Sequence, residues 1–289
     1  MAMDQTNIAV CDHSQANAAA VLNRPAFKYL TPKMRLDENS LSDDQVLSRS
    51  FHMVCSPQRC ISLVNGVMDR RQRLAPEERR PIFVWEPVPD LCTPEEFHAL
   101  WRAAALVDVV SPNADEFAAF FSPTVDETDR MAMVRTRLRP DPGQPSGPVL
   151  VIREGAAGCT IYTGHLTLHL SAYHQELTRV VDPTGGGNTF LGALAMAMTG
   201  LVHPPAHETE REIGTNWECS LPSELAAHHL LPGLLHATIA ASFVIEQSGT
   251  PVLSENDPDG WNGEGYEHRF RAYLAREKGH ILDQMRAMA

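Results

Sequence analysis

Asp182 and Asn188 flank the run Pro183-Thr184-Gly185-Gly186-Gly187. These residue types suggest chemistry on an anion. Consecutive glycines let the chain turn with φ > 0 and leave no Cβ in the way of a ligand. An apolar helix is predicted to begin near Asn188, with Phe190, Leu191, Leu194 and Ala197 following. The first peptide N–H groups of a helix lack intrahelical partners, and the helix dipole favours negative charge there. A carboxylate such as Asp182 can accept a proton. A carboxamide such as Asn188 has no useful basicity and only orients a group by hydrogen bonds. Read alone, the stretch suits an anion cradle and a loop that turns a corner about equally.

A second polar cluster, Pro112-Asn113-Ala114-Asp115-Glu116, follows the short apolar run Val107–Val110. The 13 histidines do not share a face: His203 and His207 are separated by two prolines, and His228 and His229 are sequence neighbours that diverge on a helix. They read as core or solvated residues. Six cysteines are scattered without a CxxC pair, which fits reduced thiols in a cytoplasmic chain.

A net charge of −12 leaves no basic excess to neutralise nucleic-acid phosphates, so no nucleic-acid partner is expected. One bound nucleotide remains compatible with it. No apolar run approaches the roughly 20 residues that span a bilayer, and Met1 to Val10 does not pattern as a signal peptide.

The elements that must carry these residues alternate. Strands are expected at 51–55, 81–87, 107–110 and 148–152. Helices are expected after Ser56-Pro57, over 94–105, through 117–121 and over 131–138. The arginine-rich end of the first helix, Arg70 to Arg73, reads as a solvated face. Alternating runs at 159–163 and 165–170 read as antiparallel strands. A long apolar helical region over 223–247 is interrupted at Pro232-Gly233, and an amphipathic helix closes the chain from Tyr266 to Met288. This order predicts an α/β fold with a parallel sheet. Residues 1–50 are weakly patterned and read as an N-terminal arm, and 51–289 as one α/β domain.

The motifs in this order resemble the PfkB/ribokinase family of small-molecule kinases. Asp182, Gly185, Gly187 and Phe190 fit that family's D-T-x-G-A-G-D-x-F loop, and Asn113 and Glu116 fit its PNxxE pattern. Ala240-Ala241-Ser242 with Gly249-Thr250-Pro251 is similar to its late helix near the adenine pocket. Ser50-Phe51-His52, Ser56-Pro57-Gln58-Arg59-Cys60, Trp85-Glu86-Pro87 and Trp261-Asn262-Gly263 resemble a fungal branch related to the yeast maintenance-of-killer protein.

The resemblance implies a ribokinase-like three-layer α/β/α sandwich with a mainly parallel sheet and a reduced or missing N-terminal lid. It implies ATP and Mg2+ as cofactors, a small-molecule substrate, Thr184 and Gly185 to Gly187 as anion hole, and Asn113 and Glu116 near the metal. Asn188 stands where those kinases place the aspartate that takes the hydroxyl's proton. Loss of a general base costs roughly 10²–10⁴ in rate, so phosphotransfer is expected to be weakened. Asp182 is either a substitute base or the residue that holds the loop. Two alternatives share the fold. One is an isomerase, cyclase or lyase using the glycines as an oxyanion hole, with Asp182, Glu116 or His174 moving protons. The other is a non-catalytic pseudokinase or scaffold, a homodimer among its forms.

Overall fold

The computed structural model describes residues 36–139, 147–214, 223–255, 257 and 259–288. Residues Met1–Ser42 and Asp43–Ala289 form separate units. Of the first, the described part is a 3-10 turn, Glu38–Ser40, whose N–H groups are capped by Asp37. The expected reduction of the N-terminal lid falls on residues outside those described.

The second unit alternates as its pattern predicts. Strands β1 (Ser50–Cys55), β2 (Ile82–Pro87), β3 (Val109–Val110) and β4 (Val149–Arg153) are mutually parallel neighbours. Strands β5 (Cys159–Tyr162) and β6 (Thr167–Leu170) continue the same six-stranded sheet as an antiparallel meander. A separate hairpin pairs β7 (Gly260–Trp261) with β8 (Glu264–Gly265). The helices are α1 (Asp43–Val46), α2 (Pro57–Leu74), α3 (Phe97–Ala104), α4 (Ala114–Ala119), α5 (Glu127–Leu138), α6 (Gly186–Ala197), α7 (Ala206–Gly214), α8 (Ser223–Ala226), α9 (Leu230–Val244) and α10 (Tyr266–Met288).

Strand β2 shows why helices lie on both faces of the sheet. Ile82, Phe83, Val84 and Trp85 are all buried, as befits a parallel strand covered on both sides. Ile82 and Val84 join the apolar core built with α6, α9 and α10. Successive strand residues alternate sides, which turns Phe83 and Trp85 to the opposite face, where Phe83 stacks on Phe51. Helices α2 and α3 pack on each other, and α2 also reaches β1 and β2. The result is the expected three-layer α/β/α arrangement around a mainly parallel sheet.

Two local expectations are corrected. Arg71 is not part of a solvated face. It is 5% exposed and donates from Nη1 to the Val46 and Ser48 carbonyls and from Nη2 to that of Arg79. The chain thus wraps the end of α2 with carbonyls that need a donor. Nor does the long apolar helix break at Pro232-Gly233. It breaks at His228 and His229, which take φ of 50° and 54°, and α9 then runs unbroken from Leu230. Pro232 falls in that helix's first turn, where its missing N–H costs nothing.

Replacing Arg71 by alanine should lower unfolding free energy by about 3 kcal/mol, because buried carbonyls lose their donor. Arg73→Ala, at an exposed position of the same turn, should stay within about 0.5 kcal/mol. Urea denaturation of both variants checks the contrast.

His236, 1% exposed on α9, contacts the Tyr266 hydroxyl and the Pro204 carbonyl and stacks on Phe270. Burial pushes its pKa down to about 4. The unfolded imidazole titrates near 6.5, so between those values the unfolded chain binds the extra proton and stability falls as pH falls. The loss should reach up to about 3 kcal/mol by pH 4. In His236→Gln, that component of the pH slope should vanish in paired denaturation curves.

Candidate functional site

The carboxyl ends of the parallel strands carry the charge that their apolar interiors exclude. In open α/β sheets, ligands bind at this edge. Strand β2 reaches Glu86, β3 leads into Ser111 and Asn113, and β4 ends in Arg153. The Arg153 backbone pairs with this neighbouring segment, donating to Pro112 O at 3.1 Å. Its Nη2 makes an ion pair with Glu86, reaches Ser111 O at 3.2 Å, and lies 3.6 Å from Glu116 Oε2. Its Nε is buried and has no acceptor among the described residues. His52 Nε2, also buried without a hydrogen bond among the described residues, lies 3.9 Å from Glu86. Desolvation, then the nearby Arg153 charge, holds His52 below the usual histidine range.

Asn113 and Glu116 are already occupied with each other. Asn113 is the N-cap of α4; its Oδ1 accepts the Glu116 N–H and Glu116 Oε2 accepts the Asn113 N–H, both at 2.8 Å. This reciprocal capping box satisfies two helix-end donors. Burial pushes the Glu116 carboxyl above the usual range, opposed by the Asn113 N–H and Arg153. In this arrangement Glu116 already has a cation beside it, and the residues do not fit an added metal. Among the described residues no group of three or more His, Cys, Asp or Glu side chains is placed to hold a metal ion.

The glycine loop begins helix α6 two residues earlier than expected. Gly185 is its N-cap with φ of 85°, a left-handed conformation that favours glycine. Asp182 Oδ1 accepts the Thr184 N–H at 2.9 Å, a side-chain turn that shapes the approach. Ile245 O accepts the N–H groups of Val181 and Asp182, which ties the loop to the end of α9. The Gly186 N–H closes a turn onto Pro183 O, whereas no backbone acceptor among the described residues meets the N–H of Gly187 or Asn188. At Gly187 the missing side chain admits the guanidinium: a Cβ there would sit 2.2 Å from Arg153 Nη1, which would have to shift. Helix N-terminus and guanidinium therefore share one spot.

They open on a cavity of about 330 Å³, lined by Arg153, Gly186, Gly187, Phe190, His174, Thr238, Ser242 and Ile245 among others. That volume lies at the low end for ligand pockets. His174 Nε2 lies 3.2 Å from Ser242 O and 3.1 Å from Glu246 Oε1, and burial holds its pKa down. Beneath it Arg269, 1% exposed, donates to Ser242 Oγ at 3.0 Å and to Glu246 Oε2 at 3.4 Å, forms ion pairs with Glu246 and Glu264, and lies over Phe243 and Tyr173. Asn262 donates to Phe243 O, Glu246 Oε2 and Gln247 Oε1. These buried charges are paired, as burial requires, although Glu246 Oε1 has ion-pair neighbours and no hydrogen bond among the described residues.

Residues 84–201, which include Glu86, the capping box, Arg153 and the glycine loop, match the model of the pfkB family carbohydrate kinases. An uncharacterized protein of Schizosaccharomyces pombe is 28% identical over 270 residues, and Protein MAK32 of Saccharomyces cerevisiae 27% identical over 267, each match covering 86% of this chain. The chain is PfkB-like and falls with these fungal proteins. It spans 65% of the length of each of those two relatives. Among solved structures, aminoimidazole riboside kinase from Salmonella enterica, complexed with aminoimidazole riboside and an ATP analog, aligns at 16% identity and a TM-score of 0.49. That alignment covers 86% of this chain and 70% of that one.

In this PfkB-like frame the expected site residues divide. Gly186, Gly187 and Asn113 line the cavity with His174, while Thr184 and Gly185 are exposed at its approach. Asn188 contributes its backbone N–H to the helix end, but its side chain is exposed and is not part of the cavity wall. Sequence reasoning missed Arg153, Glu246 and Arg269. A signal for Arg153 was present: it is the charge that ends the otherwise apolar run Val149 to Ile152, in the place Glu86 holds on β2. No helix among the described residues is long and apolar enough to cross a membrane. Cys55, Cys60, Cys92 and Cys159 are buried and unpaired by disulfides.

Proposed function

We propose that this PfkB-like chain binds the phosphates of a nucleotide, ATP by the family's chemistry, at the Gly185–Gly187 end of α6. The observation that carries this reading is the meeting of Gly187, whose N–H, like that of Asn188, has no backbone acceptor among the described residues, with the Arg153 guanidinium in the wall of a 330 Å³ cavity. Both features favour a phosphate oxygen. The reaction assigned to the site is phosphotransfer to a hydroxyl of a small metabolite.

That chemistry rests on positioning and electrostatics more than on covalent participation. This chain's residues supply the positioning but leave the proton without a strong acceptor. The Asn188 amide has no useful basicity, and Asp182 is engaged with Thr184 N–H. Catalysis is accordingly slow, by roughly 10²–10⁴ relative to a site with a general base. A non-catalytic nucleotide-binding protein is the second reading, and the exposed Asn188 side chain favours it.

Calorimetric titration with ATP, with and without magnesium, should give a dissociation constant between micromolar and about 1 mM. Gly186→Val should weaken it at least about tenfold, because even a Cβ there lies 2.9 Å from Ile245 Cγ2. Silence at millimolar ATP in both metal conditions defeats the nucleotide reading. Asn188→Asp separates the two versions of it: a slowed kinase gains ATPase or phosphotransfer by about 10²-fold or more, whereas a binding protein gains nothing while still binding ATP.

A further inference from the structure

The acidic pair at the strand ends carries its own counter-ion. We infer that Arg153 takes the place of a divalent metal in this site. Its Nη2 closes Glu86 and Glu116 against cations, and its Nη1 side meets the phosphate of the ligand. The inference rests on the phosphate-binding reading for its ligand, but not for its statement about metals.

Three observations carry it. Nη2 is committed to the Glu86 carboxylate and Ser111 O and stands 3.6 Å from Glu116, so one nitrogen occupies the space between the carboxylates. Nη1 has no acceptor among the described residues and lies against Gly187 Cα, beside that residue's N–H, which has no backbone acceptor among them. A planar, always charged guanidinium can hold a carboxylate on one nitrogen and a phosphate oxygen on the next, which a lysine ammonium cannot do at fixed geometry. Finally, Glu116 Oε2 already accepts the Asn113 N–H, which holds that carboxylate in the cap of α4. A purely structural ion pair between β2 and β4 would explain the Glu86 contact. It leaves unexplained why the free side of the guanidinium is turned to the helix end and lines the cavity.

The metal arm of the test uses Mn2+ alone, followed by electron paramagnetic resonance of the free ion. The wild-type chain should show no site tighter than about 1 mM, the weak end of oxygen-ligand sites. Arg153→Met should create a site that Arg153→Met/Glu116→Gln lacks. Wild-type Mn2+ binding that Glu116→Gln abolishes overturns the inference, as does a folded Arg153→Met chain that gains no site. The wild-type comparison stands even where Arg153→Met does not fold.

In the nucleotide arm, ATP in EDTA should bind the wild type within about threefold of its affinity with magnesium. Loss of a charge-assisted bond in Arg153→Met should weaken metal-free binding about 10–100-fold, and Arg153→Lys should recover only part. Binding that requires magnesium in the wild type overturns the inference. If ATP gives no heat in any condition, the nucleotide reading falls, while the Mn2+ result still decides the place of Arg153.

Discussion

One guanidinium lets a buried parallel sheet end in charge. The Glu116 side chain is about nine-tenths buried, and those of Glu86 and Arg153 only slightly less so. Carboxylates removed from water are costly unless paired and hydrogen-bonded, and removing one partner of such a pair typically costs about 3–5 kcal/mol. Arg153 ties the ends of β2 and β4 to the capping box of α4, and its outer nitrogen rests on the first turn of α6. Four elements from distant parts of the chain meet at this one side chain. The geometry of the site follows from how that charge is compensated.

The other wall of the cavity is set from the far end of the chain. The glycine loop hangs on Ile245 O at the end of α9. That end is held in turn by Arg269 of α10, through Ser242 and Glu246, and by Asn262 through Phe243, Glu246 and Gln247. Asn262 adopts φ of 52°, so its side chain is aimed by a backbone conformation uncommon for a non-glycine residue. The Trp261-Asn262-Gly263 segment therefore acts as a buckle between α9 and the β7–β8 hairpin.

What could be read from the sequence divides along the same line. Periodicity located nearly every strand and helix of the α/β body, because β1, β2 and β4 are apolar runs and α10 is amphipathic over its length. The glycine run was legible as a helix N-terminus only through the apolar helix that follows it, and even then the start was placed two residues late. Arg71 and Arg153 were not legible as buried residues. Composition treats an arginine as solvated, and only the fold reveals that Arg71 faces three carbonyls and Arg153 faces two carboxylates. The helix break failed for a similar reason. Proline is the stronger local signal, yet its position within the first turn of α9 makes it harmless, and the left-handed pair His228-His229 has no comparable signature. Asn113 and Glu116 stood in one motif that was read as near a metal, and their mutual capping bonds emerge only from geometry.

A crystal structure of the chain grown with millimolar ATP in EDTA tests the central claim most directly. The account predicts phosphate density within hydrogen-bond distance of the Gly187 N–H and Arg153 Nη1, with Nη2 of the same arginine still on Glu86. Phosphate bound elsewhere, or Arg153 displaced from Glu86 and Glu116 by a metal when magnesium is restored, would contradict it.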